Sequence, residues 1–365
     1  RSIMYSYDAA DRVEALELPD GEVIGATFDV NGNRTEFVMP DGSTHLLGYS
    51  QRNRLASYTA PGAPTMRREY DLDKSLTRRI LATGRTIQNT FDANSGQWTT
   101  MTYPEAVITF DYHPDSEKLS TLSRTPVAGA SQTIAMEHDG PLLTQATWHG
   151  VAAGEYSYVY NDDFFSISVR LESGSDIRET TFVWDRDGRH ITYGPFAITR
   201  DGPAGAPSLI ADESLSLTIG YDSTADVDVK SMRVNGSEVY AYAVSRDSIG
   251  RIERKVETVG SQTFTWDYSY DANDRLQSLS RGGTVVEEYS YDANGNRTSS
   301  LGIVTTYDSQ DRVITHAGVN HTYDDDGFLL ARGADTFVYS AVGELISATV
   351  GGQSVDFQYD GLGRR

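Results

Sequence analysis

Tyr291-Asp292-Ala293-Asn294-Gly295-Asn296-Arg297 is one copy of a short phrase in tyrosine, aspartate, glycine and arginine that runs along this chain. Earlier copies read Tyr7-Asp8-Ala9-Ala10-Asp11-Arg12, Phe28-Asp29-Val30-Asn31-Gly32-Asn33-Arg34 and Tyr270-Asp271-Ala272-Asn273-Asp274-Arg275. The last is Tyr359-Asp360-Gly361-Leu362-Gly363-Arg364. Shorter forms stand at Tyr70-Asp71, Tyr307-Asp308 and Tyr323-Asp324, the last followed by Gly327. A repeat fixes the architecture first, because each copy is one supersecondary unit stacked on its neighbours. Residues kept by the repeat are therefore read as scaffold before they are read as chemistry.

The aromatic anchors fall at 7, 28, 49, 70, 91 and 112, a step of 21 residues. The step then loosens, with 24 residues from Tyr160 to Trp184 and degenerate anchors near Met136, Thr199, Tyr221 and Val244. Late in the chain Tyr291, Tyr307, Tyr323 and Tyr339 are spaced by 16, and Tyr359 follows after 20. A propeller blade needs roughly 40 residues or more, so neither step fits one. Both fit one β-hairpin, with strands of roughly 6 to 8 residues in the longer step and shorter ones in the other. About sixteen hairpins, or roughly 32 strands, are expected.

The local chemistry agrees. Thr263-Phe264-Thr265-Trp266-Asp267-Tyr268-Ser269-Tyr270 alternates as a strand with one buried face does. Tyr, Phe, Trp, Val and Thr suit a pleated surface, and the repeated tyrosines are expected to pack along it as a ladder. Asp after the anchor can bond its own backbone two residues on and start a turn. Asn31-Gly32, Asn294-Gly295, Asp187-Gly188 and Asp326-Gly327 supply residues that tolerate the positive φ of tight turns. Arg near the turn Asp reads as a partly exposed pair, worth up to about 1 kcal/mol.

Composition narrows the function classes. The net charge is −21 and the pI near 4.6, which disfavours nucleic acid and anionic membrane surfaces as partners. The acidic surface reads as solvation of a large body. The absence of cysteine excludes disulfides, thiol catalysis and Cys-based zinc sites. No run of 18 apolar residues is present, so no membrane-inserting helix is expected.

Residues 1–365 read as a single repeat region, an all-β spiral of antiparallel hairpins. Regular repeats cover 1–125 and 246–365, and a less regular middle covers 126–245. Pro- and Gly-rich stretches such as 201–207 read as surface loops. The first residue is not Met and the last copy stops in a turn, so the chain reads as a fragment of a longer protein. A sheet of that many strands at about 4.8 Å each would be roughly 150 Å wide, and open twisted sheets rarely pass about ten strands without curling. Rolled up, it would be roughly 50 Å across, too wide for side chains to fill.

These motifs resemble the YD-repeat family, which includes bacterial Rhs proteins, the BC component of Tc toxins and the shell of teneurins. The order Tyr307-Asp308…Asp311-Arg312-Val313, Tyr323-Asp324-Asp325-Asp326-Gly327, Tyr339-Ser340…Gly343-Glu344 and Tyr359-Asp360-Gly361-Leu362-Gly363-Arg364-Arg365 carries the likeness most strongly. The resemblance implies a spiral of hairpins closed into a hollow shell, or part of one. In the bacterial members the shell encloses a toxic C-terminal domain; in teneurins it forms the body of a cell-surface adhesion protein. The Cys-free composition favours a bacterial teneurin-like protein over an animal teneurin, and the sequence stops at Arg365, before the region where the bacterial members carry their plug and aspartate-based self-cleavage motif.

None of the seven histidines forms the i, i+4 pair of a zincin helix, and His316 and His321 read as strand and turn residues. Asp29-x-Asn31-x-Asn33 and Asp292-x-Asn294-x-Asn296 resemble the start of a calcium loop, but Arg34 and Arg297 stand where an EF-hand needs Gly. Gly-x-Ser-x-Gly and P-loop patterns are absent, and glycosylation sequons such as Asn296-Arg297-Thr298 coincide with turns. No catalytic residue, metal or cofactor is therefore expected. The leading reading is a non-enzymatic shell around a C-terminal cargo domain of the same secreted or surface polypeptide. The alternative is a module that binds a cell-surface protein or glycan through loops such as 126–150 and 200–212, with carbohydrate binding the weaker form.

Overall fold

The computed structural model describes residues 2–365; Arg1 lies outside the described residues. They form 35 strands in one antiparallel sheet, with one turn of 3-10 helix at Pro203–Gly205. Strands pair with their neighbours in sequence, Met4–Tyr7 with Val13–Glu17, that strand with Val23–Phe28, and so on to Leu345–Val350 with Gln353–Asp356. The all-β hairpin architecture expected from the repeat is what the chain adopts. Strand lengths are more varied than expected, from the three residues of Leu209–Ala211 to the ten of Ser237–Arg246. The 16-residue step is met by strands of four or five residues, as in Val313–His316 and Val319–Tyr323.

One reading needs correction. The segment 126–150 is not a loop region. It holds the eight-residue strands Gln132–Asp139 and Leu142–His149, whose period-2 pattern the loosened repeat obscured. The Asn-Gly and Asp-Gly turns of the repeat phrase carry the positive φ expected of them, at the Gly alone. In the copies starting at Asp8, Asp29 and Asp292, the N–H of the fourth residue donates to the Asp carbonyl, and the Asp N–H donates to the carbonyl of the fifth. Only the fourth residue is left-handed: Gly32 (φ 83°), Gly295 (89°) and Gly327 (91°), or Asp11 (58°) and Asp274 (64°). This is a type I turn closed by a left-handed residue, the usual three-residue hairpin loop. The two-residue form with both φ positive occurs at Asn235-Gly236, Leu301-Gly302 and Gly351-Gly352.

By internal packing the chain divides into two compact units. One comprises residues 1–136, 148–152 and 289–365; the other comprises 137–147 and 153–288. The first has a buried core of Leu81, Ile87, Tyr103, Ile108, Leu122 and Ile134, joined by Ala341 from the late repeats. Ile87, Leu122 and Ile134 are fully buried, each worth about 1.5–3 kcal/mol in apolar burial. The last turn presses onto this core so closely that a Cβ on Gly361 would lie 2.6 Å from Leu122 Cγ. In the second unit the hydrophobic side chains stay partly exposed. Its strands are tied by polar and aromatic contacts, such as Phe165 stacked on Trp184 at 4.9 Å and Trp266 Nε1 donating to Glu257 at 3.1 Å.

Candidate functional site

The repeat turn is the unit from which any site must be built. Asp8 Oδ1 accepts the N–H of Ala10 (2.8 Å) and of Arg12 (3.1 Å), while Oδ2 accepts Arg12 Nε (2.7 Å). Asp271 does the same with Asn273 and Arg275, Asp308 with Gln310 and Arg312, and Asp360 with Leu362 and Arg364. Asp29 and Asp292 hold Asn33 and Asn296 instead of Arg. Asp71 caps Ser75 N–H, and Asp324 caps Phe328 N–H. These bonds hold the Asp8, Asp29, Asp271 and Asp308 carboxyls below their ordinary values; for Asp8 the Arg12 side chain is the largest cause, and for Asp271 and Asp308 the bonds outweigh the opposing effect of burial. The Asp29 oxygens that a calcium loop would offer are thus occupied by the protein's own donors, and among the described residues no group of three metal-ligating side chains converges.

Arg also links one turn to the next. Arg12 Nη1 donates to Asp29 O at 2.9 Å, and its guanidinium lies 4.7 Å from the Phe28 ring centre. Arg251 over Tyr270 (4.4 Å) and Arg312 over Tyr323 (4.9 Å) repeat the cation–π contact. The Asp–Arg pair expected at the turn is present, and the same guanidinium ties successive repeats together.

The anchors carry a second linkage that alternation alone did not reveal. Opposite the aromatic anchor the return strand bulges by one extra residue, as at Gln277 opposite Ser269 and Tyr270. The carbonyl of the first return residue then receives a donor from the next anchor. Tyr70 Oη donates to Leu55 O (2.9 Å), Tyr270 to Ile252 O (2.7 Å), Tyr307 to Arg297 O (2.9 Å) and Tyr359 to Leu345 O (2.9 Å). In the irregular middle the rule persists with other donors: Trp184 Nε1 to Ser166 O, Arg200 Nε to His190 O and Arg246 Nη2 to Val227 O. The anchors read near Thr199 and Val244 are therefore Arg200 and Arg246. The signal for them was an Asp directly after the residue, in Arg200-Asp201 and Arg246-Asp247.

Within the first unit, successive late turns seat on successive early repeats. Asn294 Oδ1 accepts Asp41 N–H (3.0 Å), and Gln310 Nε2 donates to Pro61 O (2.9 Å). Asp326 accepts Thr83 N–H (2.9 Å), Thr83 Oγ1 (2.6 Å) and Arg85 Nη2 (2.7 Å). Glu105 Oε2 accepts Ala341 N–H (2.9 Å). Arg124, 4% exposed, donates to Tyr359 O (2.9 Å) and Glu344 Oε2 (2.8 Å). Burial opposes charge on Asp326, but the Thr83 and Arg85 bonds outweigh it and hold its carboxyl low. At Glu344 burial wins over Arg124 and raises the carboxyl, and burial together with Glu344 pushes Tyr103 up to about 12. A cleft of about 550 Å³ opens beside this pair, between residues 126–132 and Asp356–Tyr359. The seam offers polar and charged locking contacts.

The model of the teneurin YD-shell family matches residues 1–365. Among curated proteins the chain is similar to teneurin-4 of Mus musculus, 27% identical over 390 residues and 99% of this chain. It is also similar to teneurin-m of Drosophila melanogaster, 29% identical over 94% of this chain. It spans only 14% of each of those relatives. Among solved structures, a crystal structure of TcdB2-TccC3-TEV superposes with a TM-score of 0.58 at 11% identity, covering 99% of this chain and 27% of the other. The Photorhabdus luminescens Tc holotoxin pore gives 0.57 at 12%, covering 98% and 25%. Those identities speak for the fold alone, whereas the family match runs the full length: the chain belongs to the teneurin YD-shell family.

Proposed function

We propose that this chain is shell wall: a non-enzymatic β-scaffold that encloses a C-terminal domain of its own polypeptide, in a protein that works outside the cell or at its surface. The observation that supports this is the seam of the first unit. Late turns lock onto early repeats through buried or half-buried ion pairs, Arg85 with Asp326 and Arg124 with Glu344. A long meander held only by its own ladder would be free to flex open, and these cross-links oppose that. The turn aspartates, anchor hydroxyls and seam ion pairs all serve the scaffold, which suits a container better than a catalyst. The test is limited proteolysis of the chain extended past Arg365 by its native sequence. Protection of the extension until the wall is denatured is expected; digestion at the rate of a denatured control overturns the reading.

A second reading is recognition of a cell-surface protein or glycan, favoured by the teneurin relatives and by Phe164. This residue is 67% exposed and sits in a left-handed conformation (φ 66°) that other copies give to Gly, Asp, Asn53, Lys74 or Ala225. Saturable binding lost in Phe164→Gly with the fold retained would favour it; unchanged binding would remove Phe164 from the case.

A further inference from the structure

Residues 52–85 carry eight of the 31 Lys and Arg residues against three acids, so this stretch is positive by five in a chain of −21. At its centre the repeat breaks its own rule. Ser50 stands where Asp opens the other turns, and its Oγ accepts the N–H of Arg52 (3.3 Å) and Arg54 (3.2 Å). Arg54 occupies the position of Arg12, Arg275 and Arg312, but the carboxylate that those arginines grip is missing. Among the described residues no ion pair involves Arg54, Arg68, Arg79 or Lys74, whereas Arg12 and Arg312 both have one.

The neighbouring strands add to the unbalanced charge. Arg68 and Arg79 face each other directly across the pairing of Met66–Tyr70 with Leu76–Ile80, both half-buried. Like charges directly opposite on a sheet are destabilising. Arg79 Nε is buried without a hydrogen-bond partner, an arrangement that asks for an explanation. Burial and then the facing Arg68 pull the Arg79 guanidinium below its ordinary range. A pocket of about 410 Å³ opens between the two turns, lined by Arg52, Arg54, Arg68, Tyr70 and Lys74, with Asp71 the one carboxylate. That Asp71 already caps Ser75 N–H at 2.8 Å.

We propose that this pocket binds a carboxylate of an acidic polypeptide segment, with Arg54 and Arg68 as the guanidinium donors and Lys74 closing the rim. The planar guanidinium fork matches a carboxylate bidentately. The ligand takes the place that the repeat fills with its own Asp elsewhere. A single acidic group entering a pocket escapes the acidic surface around it, whereas a long polyanion laid across the protein would meet that surface along its length.

The experiment is fluorescence anisotropy of a labelled Glu-rich nonapeptide with the full chain, against the same peptide with Gln for Glu. The melting midpoint is read in parallel at constant ionic strength. Saturable binding is expected for the Glu peptide alone, together with a rise in the midpoint. Arg54→Gln with Lys74→Gln, on exposed turns, is expected to weaken binding at least tenfold. Arg79→Met is expected to leave or raise the midpoint of the free chain while reducing the rise caused by peptide. Binding that these variants do not alter, or equal binding of the Gln peptide, overturns the proposal. So does occupancy by dextran sulfate or inorganic phosphate without competition from the Glu peptide.

Discussion

Arg124 and Glu344 lie 220 residues apart in sequence, yet Nη2 and Oε2 are 2.8 Å apart with both side chains nearly sealed from solvent. Glu344 also accepts Ser340 Oγ at 3.1 Å, and Arg124 continues to Tyr359 O. A buried pair is weak evidence of net stabilisation, but breaking one partner away is costly, about 3–5 kcal/mol, because the other charge is left buried and alone. Arg124→Met is expected to lose that amount in urea unfolding. The double variant Arg124→Met with Glu344→Leu is expected to recover much of it. Equal losses in single and double variants would show that the cost lies in packing and not in the orphaned charge.

The same carboxylate and the turn aspartates predict opposite responses to acid. Glu344 sits above its ordinary 4.5, so the folded state takes up its proton before the unfolded state does. Its contribution therefore becomes more favourable as pH falls toward 4.5. Asp8, Asp271, Asp308 and Asp326 sit below 3.8, so their stabilisation is complete above that pH and is lost as pH falls through their folded values. The unfolding midpoint is expected to hold or rise slightly on mild acidification and to collapse only below about pH 4. Glu344→Gln removes the mild-acid component and keeps the collapse. Circular dichroism melts across pH 3 to 7 check both halves.

The anchor hydroxyls predict why tyrosine exceeds phenylalanine in this chain. Tyr270→Phe keeps the ring and the Arg251 contact but leaves the Ile252 carbonyl without its donor. A loss of about 0.5–1.5 kcal/mol is expected. The converse is sharper. Phe28 occupies an anchor, and the first return residue of the preceding turn is Val13. Phe28→Tyr is expected to gain a bond to Val13 O and raise the melting midpoint, provided Arg12 stays over the ring. No gain would mean that the hydroxyl is incidental to the ladder.

Hairpins, anchors and turn aspartates were legible in the sequence because each rests on contacts within one or two repeats. Asp followed four residues later by Arg is a local geometric fact, and Asp271–Arg275 could be read directly. The longer strands of 132–149 were not legible, since Met136 offers neither a hydroxyl nor a following Asp to mark the copy. The seam was invisible for a different reason. Asp41 and Asn294, or Thr83 and Asp326, look like ordinary turn residues, and only the fold brings repeats of unequal step together. The open cation at Arg54 was readable in principle, as a Ser where the phrase demands Asp.

The turn at Leu301-Gly302 carries the last prediction. Both residues are left-handed, with φ of 46° and 79°, as a two-residue hairpin between Arg297–Ser300 and Ile303–Tyr307 requires. Corresponding turns place Asn at 235 or Gly at 351 in the first position, where Leu clashes with its own carbonyl and its side chain is 55% exposed. The strain of a non-glycine residue there is roughly 1 kcal/mol, and solvent-exposed Leu returns little for it. Leu301→Asn is therefore expected to raise the melting midpoint by a few degrees, with Leu301→Gly gaining less because its unfolded chain is freer. A drop in the midpoint for Leu301→Asn would mean that the Leu301 side chain packs against something that its exposure conceals, and differential scanning calorimetry of the two variants decides the matter.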